Sequence, residues 1–223
     1  MAQAALDRDV PFACVPFGTR NHFARDLGLD PDDPIAALAA FGGDERRVDV
    51  GSVNGRVFLN NVSLGLYASF VHDPSRKTRN RLVAALRLIP AALGRSRRPL
   101  ALSFETEAGR EERLALLALV SNNDYGADTV ADLGERERLD EGLLHLYVVE
   151  AVGRWRLLSV LAGAAWRGSA SATGLVERAS PKLTVESNRT RLHAAVDGEP
   201  VVLEPPLELE IRPRALRALV PRA

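Results

Sequence analysis

The chain has 223 residues, 46% hydrophobic, and its 29 basic and 29 acidic side chains cancel to a formal charge of zero. That length suits one large domain or two small ones with a sizeable core, and the charge balance gives no electrostatic footing for a nucleic-acid partner. No apolar run reaches the 18 or more residues of a transmembrane segment, and residues 1–9 have neither the basic nor the long apolar region of a signal peptide. Cys14 is the only cysteine. No internal disulfide can form, a reducing cytoplasm fits, and Cys14 reads as a small buried hydrophobe in an apolar run.

Phe12–Val15 is a short apolar run between prolines and predicts a buried strand, ended by the turn Pro16-Phe17-Gly18-Thr19. Asn21–Leu27 reads as one or two helical turns. A second helix is expected over Asp32–Phe41, capped by Asp32 or Asp33 and stopped by Gly42-Gly43. From Asp44 the pattern turns to strands: Arg47–Val53, the hairpin step Asn54-Gly55, and a partner strand Arg56–Ser63. A helix is expected over Thr78–Leu93, with Pro90 kinking or ending it. Strands follow at Leu100–Glu105, Arg113–Ser121 and Leu143–Val149, then a helix over Arg154–Trp166. Leu175–Arg178, Lys182–Glu186, Arg191–Val196 and Leu207–Ile211 read as short strands, a spacing that suggests a β sandwich. One lone parallel-type strand near Phe12 needs partners, expected either from strands upstream of Met1 or from another chain.

Four places draw attention. Gly18-Thr19-Arg20-Asn21, between a strand and a helix start, could hold an anion on backbone N–H groups or be an ordinary loop capped by Thr19. Asp197-Gly198-Glu199 reads as a hairpin turn, or as a turn carrying a general base at Glu199. Asp140-Glu141-Gly142 could be solvated turn residues or oxygen ligands for a hard cation. The amide pairs Asn60-Asn61 and Asn122-Asn123 could cap turns or line a cleft. His22, His72, His145 and His193 show no metal-ligand spacing.

Five blocks in order, VPFACVPFGTRNHFARDLGL, VDVGSVNGRVFLNNVSLGLYA, LVSNN, LDEGLLHLYVVE and VDGEP, resemble the diacylglycerol kinase catalytic family, which includes bacterial lipid kinases and the sphingosine and ceramide kinases. The resemblance covers essentially the whole chain. It implies an α+β fold: part of an α/β nucleotide-binding domain, similar to that of NAD kinases, over 1–43, a β-sandwich domain over 44–211, and a C-terminal segment, 212–223, returning to the first domain. It implies a nucleotide contact at Gly18, Thr19 and Asn21, a proton acceptor at Glu199 with Asp197 as its acidic neighbour, and Mg²⁺ at Glu141, with backbone carbonyls from Arg138 and Leu143 and Asp140 as a substitute carboxylate.

The implied activity is phosphoryl transfer from ATP to a lipid hydroxyl such as that of diacylglycerol, by a cytoplasmic protein that touches the inner membrane face without spanning it; a homodimer is left open. Two departures stand out. His22 replaces a common Asp, and Glu141 replaces the family's metal-binding Asp. The family's Gly-Gly-Asp-Gly-Thr loop belongs upstream of Gly18, and the 17 residues there contain nothing like it. An impaired kinase, a non-catalytic interaction module pairing through the Phe12 strand, and an NAD-kinase-like enzyme are the readings this leaves.

Overall fold

Asn54 and Gly55 have φ of 47° and 78°, the left-handed pair of a two-residue hairpin. They join strand β1 (Asp44–Val53) to β2 (Arg56–Phe58). The computed structural model describes residues 1–18, 21–65, 99–107, 109–125, 136–151 and 175–222. The expected helices at Thr78–Leu93 and Arg154–Trp166 lie outside the described residues, as does Thr19.

The further described strands are β3 (Asn61–Gly65), β4 (Leu100–Thr106), β5 (Gly109–Asn122), β6 (Leu144–Glu150), β7 (Leu175–Ser180), β8 (Lys182–Ser187), β9 (Leu192–Val196), β10 (Glu199–Leu203) and β11 (Leu207–Val220). They hydrogen-bond in the order β10-β9-β3-β5-β4-β8-β11-β1-β2, with β6 joining β5 to β7. The long β5 serves two neighbours on one edge, β4 along Gly109–Ala115 and β3 along Leu117–Ser121, and carries β6 on the other. Burial alternates along β4, where Leu100, Leu102 and Phe104 are buried and Ala101 and Glu105 exposed, as a half-covered strand requires.

Among the described residues two apolar clusters form. The larger gathers Val53, Phe58, Leu64, Leu146, Leu183 and Leu209 from across the sheet. The smaller packs helix α1 (Ala2–Arg8), helix α2 (His22–Asp26) and a 3₁₀ helix (Ala36–Gly42) on the far ends of β1 and β11, through Ala5, Phe23, Ala40, Val48, Leu216 and Ala218. Strands β1 and β11 thus run through both clusters. Among the described residues no helix is long and apolar enough to cross a membrane.

Four expected elements differ. The Phe12–Val15 strand reduces to one parallel bridge, in which the Phe12 N–H donates to Arg217 at 2.7 Å and the Phe12 carbonyl accepts from Leu219 at 2.9 Å. Prolines on both sides of the run remove the donors that would extend it. The Asp32–Phe41 helix narrows to Ala36–Gly42 in 3₁₀ form. Asp33 caps it, accepting the N–H groups of Ile35 and Ala36 at 3.0 and 2.9 Å. It stops where Gly43 meets the β11 backbone so closely that a Cβ would lie 1.9 Å from the Val220 carbonyl oxygen. The Arg56–Ser63 strand breaks in two at Leu59-Asn60, so that β2 stays with β1 while β3 passes to β5 and β9. The last strand continues past Ile211 to Val220, because its second half pairs with β1.

Candidate functional site

The β9–β10 hairpin turns on Asp197 and Gly198, with φ of 49° and 82°, the tight turn that an Asp-Gly step favours. Asp197 aims its carboxylate into the break between β2 and β3. Its Oδ2 accepts the Leu59 N–H at 2.8 Å, and its Oδ1 accepts those of Asn60 and Asn61 at 2.7 and 3.1 Å. Amides turned together onto one carboxylate are lost to a straight ladder, which is why the expected single strand divides here. Burial pushes the Asp197 carboxyl above its ordinary value, while the three amides and the Arg136 charge pull against that shift. Glu199 opens β10 with a side chain 75% exposed and one oxygen 3.1 Å from Arg56 Nη2.

Beneath this hairpin lies Arg136. Its Nε and Nη2 donate to Asp26 Oδ2 at 2.8 and 2.6 Å, and its backbone N–H donates to Asp26 Oδ1 at 3.2 Å. Nη1 donates to the carbonyls of Leu59 and Asn122 at 2.7 and 2.8 Å, and Nη2 also reaches Asn60 Oδ1 at 3.1 Å. All five donors of the guanidinium thus have acceptors. The guanidinium carbon also lies 5.5 Å from the centre of the Tyr125 ring, and the Tyr125 hydroxyl accepts from Asn61 Nδ2 at 3.1 Å. Asp26 ends the short helix that starts after Asn21. Arg136 therefore connects that helix to Asn60, and through the Asn60 amide to Asp197.

At the turn itself, Asn21 Nδ2 donates to the carbonyls of Pro16 and Pro31 at 3.2 and 2.8 Å, bracing the loop across its mouth. A Cβ on Gly18 would lie 2.8 Å from Asn21 Oδ1, so the glycine makes room for this brace. The helix after it spans five residues, His22–Asp26.

Residues 138–143 surround a second carboxylate, Asp49. Its two oxygens accept the N–H groups of Gly142 and Arg214, each at 2.7 Å, and its own N–H donates to the Leu139 carbonyl at 2.7 Å. Asp140 sits between Arg138 and Arg214, at 3.4 and 3.1 Å. Against the desolvation that would raise it, these two cations hold its carboxyl below the usual range. Glu141 Oε2 lies 3.2 Å from both His145 Nε2 and the Asp124 N–H. The Leu143 carbonyl accepts the Asn123 N–H at 3.0 Å. Glu141, Asp140 and the nearby carbonyls are oxygen donors of the type a hard cation takes; Asp140 is also paired with two arginines.

Both amide pairs singled out in the sequence are brought into one network. Asn122 Nδ2 donates to the carbonyls of Asp49 and Leu59, each at 3.0 Å, and so ties the Asp49 loop to the Asp197 clamp. Asp26, Asp49, Tyr125 and Arg136 were not legible as site residues. Single charged and aromatic residues amid many others carry no local signal, and only their contacts single them out.

Residues 1–53 match the family model described as diacylglycerol kinase catalytic domain. A "probable lipid kinase YegS-like" of Pseudomonas aeruginosa (strain UCBPP-PA14) is 30% identical over 226 residues, covering 96% of this chain and 69% of the relative. A diacylglycerol kinase of Bacillus subtilis (strain 168) is 26% identical over 156 residues, 66% of this chain and 49% of the relative. A crystal structure of a diacylglycerol kinase from Bacillus anthracis str. Sterne superposes with a TM-score of 0.62 at 17% identity, covering 95% of this chain and 67% of that one. At that identity the superposition speaks for the fold.

Proposed function

The chain belongs to the diacylglycerol kinase catalytic-domain family, and we propose on that footing an ATP-dependent lipid kinase, transferring a phosphoryl group to the hydroxyl of diacylglycerol or a related lipid, with turnover impaired in this chain, whose sequence holds no Gly-Gly-Asp-Gly-Thr loop. The observation that carries this reading is the Asp197-Gly198-Glu199 hairpin. Three amides clamp its first carboxylate and leave the second one exposed to an incoming substrate.

In this mechanism Glu199 is the general base. It takes the proton of the lipid hydroxyl as that oxygen attacks the γ-phosphorus. The new oxygen–phosphorus bond forms, the bond to the bridging oxygen breaks, and its electron pair leaves with ADP. Arg56 steadies the Glu199 carboxylate before the acceptor arrives. Gly18, Thr19 and Asn21 would contact the nucleotide, and Arg136 holds the helix that starts after Asn21 against the Asp197 clamp, which would keep donor and base in one geometry. Glu141, with the Arg138 and Leu143 carbonyls, would hold Mg²⁺, which supplies charge neutralisation when bound.

The helices packed on the ends of β1 and β11 fit a partial α/β nucleotide-binding half, and the β-sandwich half is assigned from the family. A lipid acceptor places the reaction at a membrane surface that the protein touches without crossing.

The reading is tested by incubating the protein with γ-labelled ATP and mixed micelles of diacylglycerol, sphingosine or ceramide. Label extracted with lipid supports it. Label found in NAD instead, when NAD is supplied, moves the protein to the NAD-kinase-like alternative.

A further inference from the structure

A second group of ligand-type side chains lies on β6 and its neighbours, apart from the Asp197 clamp. His145 is buried, 7% exposed, on the face of β6 opposite Leu144, Leu146 and Val148, which point into the main cluster. Its Nδ1 is 3.4 Å from Glu177 Oε1 on the adjacent β7 and 3.9 Å from Asp124 Oδ1 just beyond β5. One ligand atom from each of the three residues lies within 4.8 Å of the others.

We propose that Asp124, His145 and Glu177 form a binding site for a borderline divalent cation, of the class of Zn²⁺ or Co²⁺. Metal–ligand bonds of about 2.0–2.2 Å in a tetrahedron put ligand atoms roughly 3.3–3.6 Å apart. The imidazole–Glu177 pair already stands at that spacing, and Asp124 Oδ1 lies 3.9 Å from Nδ1.

The orientation of the ring is the stronger argument. A histidine that ligates through one nitrogen characteristically donates its other N–H to a carboxylate, which fixes the tautomer and the ring plane. Here Nε2 stands 3.2 Å from Glu141 Oε2; in the tautomer that donates to Glu141, the Nδ1 lone pair is directed between Asp124 and Glu177. Tyr147 plays the same part for Asp124, donating its hydroxyl to Oδ1 at 2.6 Å. Its ring lies beside the imidazole, 6.3 Å away at 24°. Asp124, Glu141 and Glu177 bring three carboxylates to one imidazole. A nitrogen ligand also separates this site from the all-oxygen loop at 138–143: imidazole suits Zn²⁺ and Co²⁺, while Mg²⁺ prefers oxygen. The cation would pin β6, β7 and the end of β5 together. The proposal stands whether or not the protein phosphorylates lipids.

Metal-stripped protein titrated with Co²⁺ in the presence of excess Mg²⁺ tests it, read by visible absorption and by the rise in Tm that accompanies ligand binding to the folded state. Saturation at one equivalent, unaffected by Mg²⁺, is expected, with His145→Asn and Glu177→Gln each weakening binding at least about tenfold. Glu177 is half exposed, so E177Q decides the matter even if H145N fails to fold. No saturable binding, binding abolished by Mg²⁺, or binding unchanged in E177Q overturns the proposal.

Discussion

Arg136 and Asp26 form an ion pair whose side chains are 0% and 1% exposed, with Nη2 and Oδ2 2.6 Å apart. Two charges withdrawn from water are tolerable because every guanidinium donor has an acceptor. Removing one partner strands the other. Asp26→Ala is expected to lower the unfolding free energy by about 3–5 kcal/mol in urea denaturation. A loss below about 1 kcal/mol would show that the pair is not excluded from solvent as described.

The Asp197 clamp predicts a different response. Asp197→Asn keeps one carbonyl acceptor but turns an NH₂ group toward backbone donors, so at least one amide loses its partner. The expected cost is about 1–3 kcal/mol, with faster amide exchange at Leu59, Asn60 and Asn61. Exchange at those three amides that matches the wild type would contradict the hydrogen bonds assigned here.

For Glu199 the prediction concerns turnover. Glu199→Gln is expected to reduce kcat by roughly 10²-fold or more and to leave ATP affinity and Tm close to wild type, because the side chain is exposed and its ion pair with Arg56 is a surface pair. Unaltered kcat would reduce Glu199 to a hairpin residue paired with Arg56.

Gly51 faces Phe58 across β1 and β2, and a Cβ there would lie 2.3 Å from the Phe58 ring. Gly51→Ala should destabilise by about 1–3 kcal/mol through overpacking. Combining it with Phe58→Leu should cost less than the sum of the two single changes. Strict additivity in a double-mutant cycle would rule out the contact.

Burial pushes the Cys14 thiol from 9.0 up to about 11. The folded chain therefore holds this proton more tightly than the unfolded chain. The stability so contributed is complete below pH 9.0 and is lost as pH climbs toward 11. Cys14 should react slowly with a thiol reagent at pH 8 and rapidly once denatured. Cys14→Ala should lessen the fall in Tm across that alkaline window; an identical fall in both proteins would refute the shift.

The turns were legible because their chemistry is local. Asn54-Gly55 and Asp197-Gly198 both adopt the positive φ pair that their residue types favour, and the alternation along β4 follows from a period of two. The family blocks were legible for the same reason, as contiguous strings. The break of Arg56–Ser63 into two strands was not, since it is forced by a carboxylate 137 residues away from Asn60.

What the sequence by itself determined, then, is where the chain turns, which faces of its strands are apolar, and which family its contiguous blocks resemble. Only the tertiary structure decided that Arg136 closes on Asp26 from 110 residues away, and that His145 stands between Glu141 on one ring nitrogen and Asp124 and Glu177 on the other. Backbone propensity acts over a few residues and leaves its mark in adjacent letters. Charge pairing and ligand geometry depend on distances in space, which exist only once the sheet has brought those strands together.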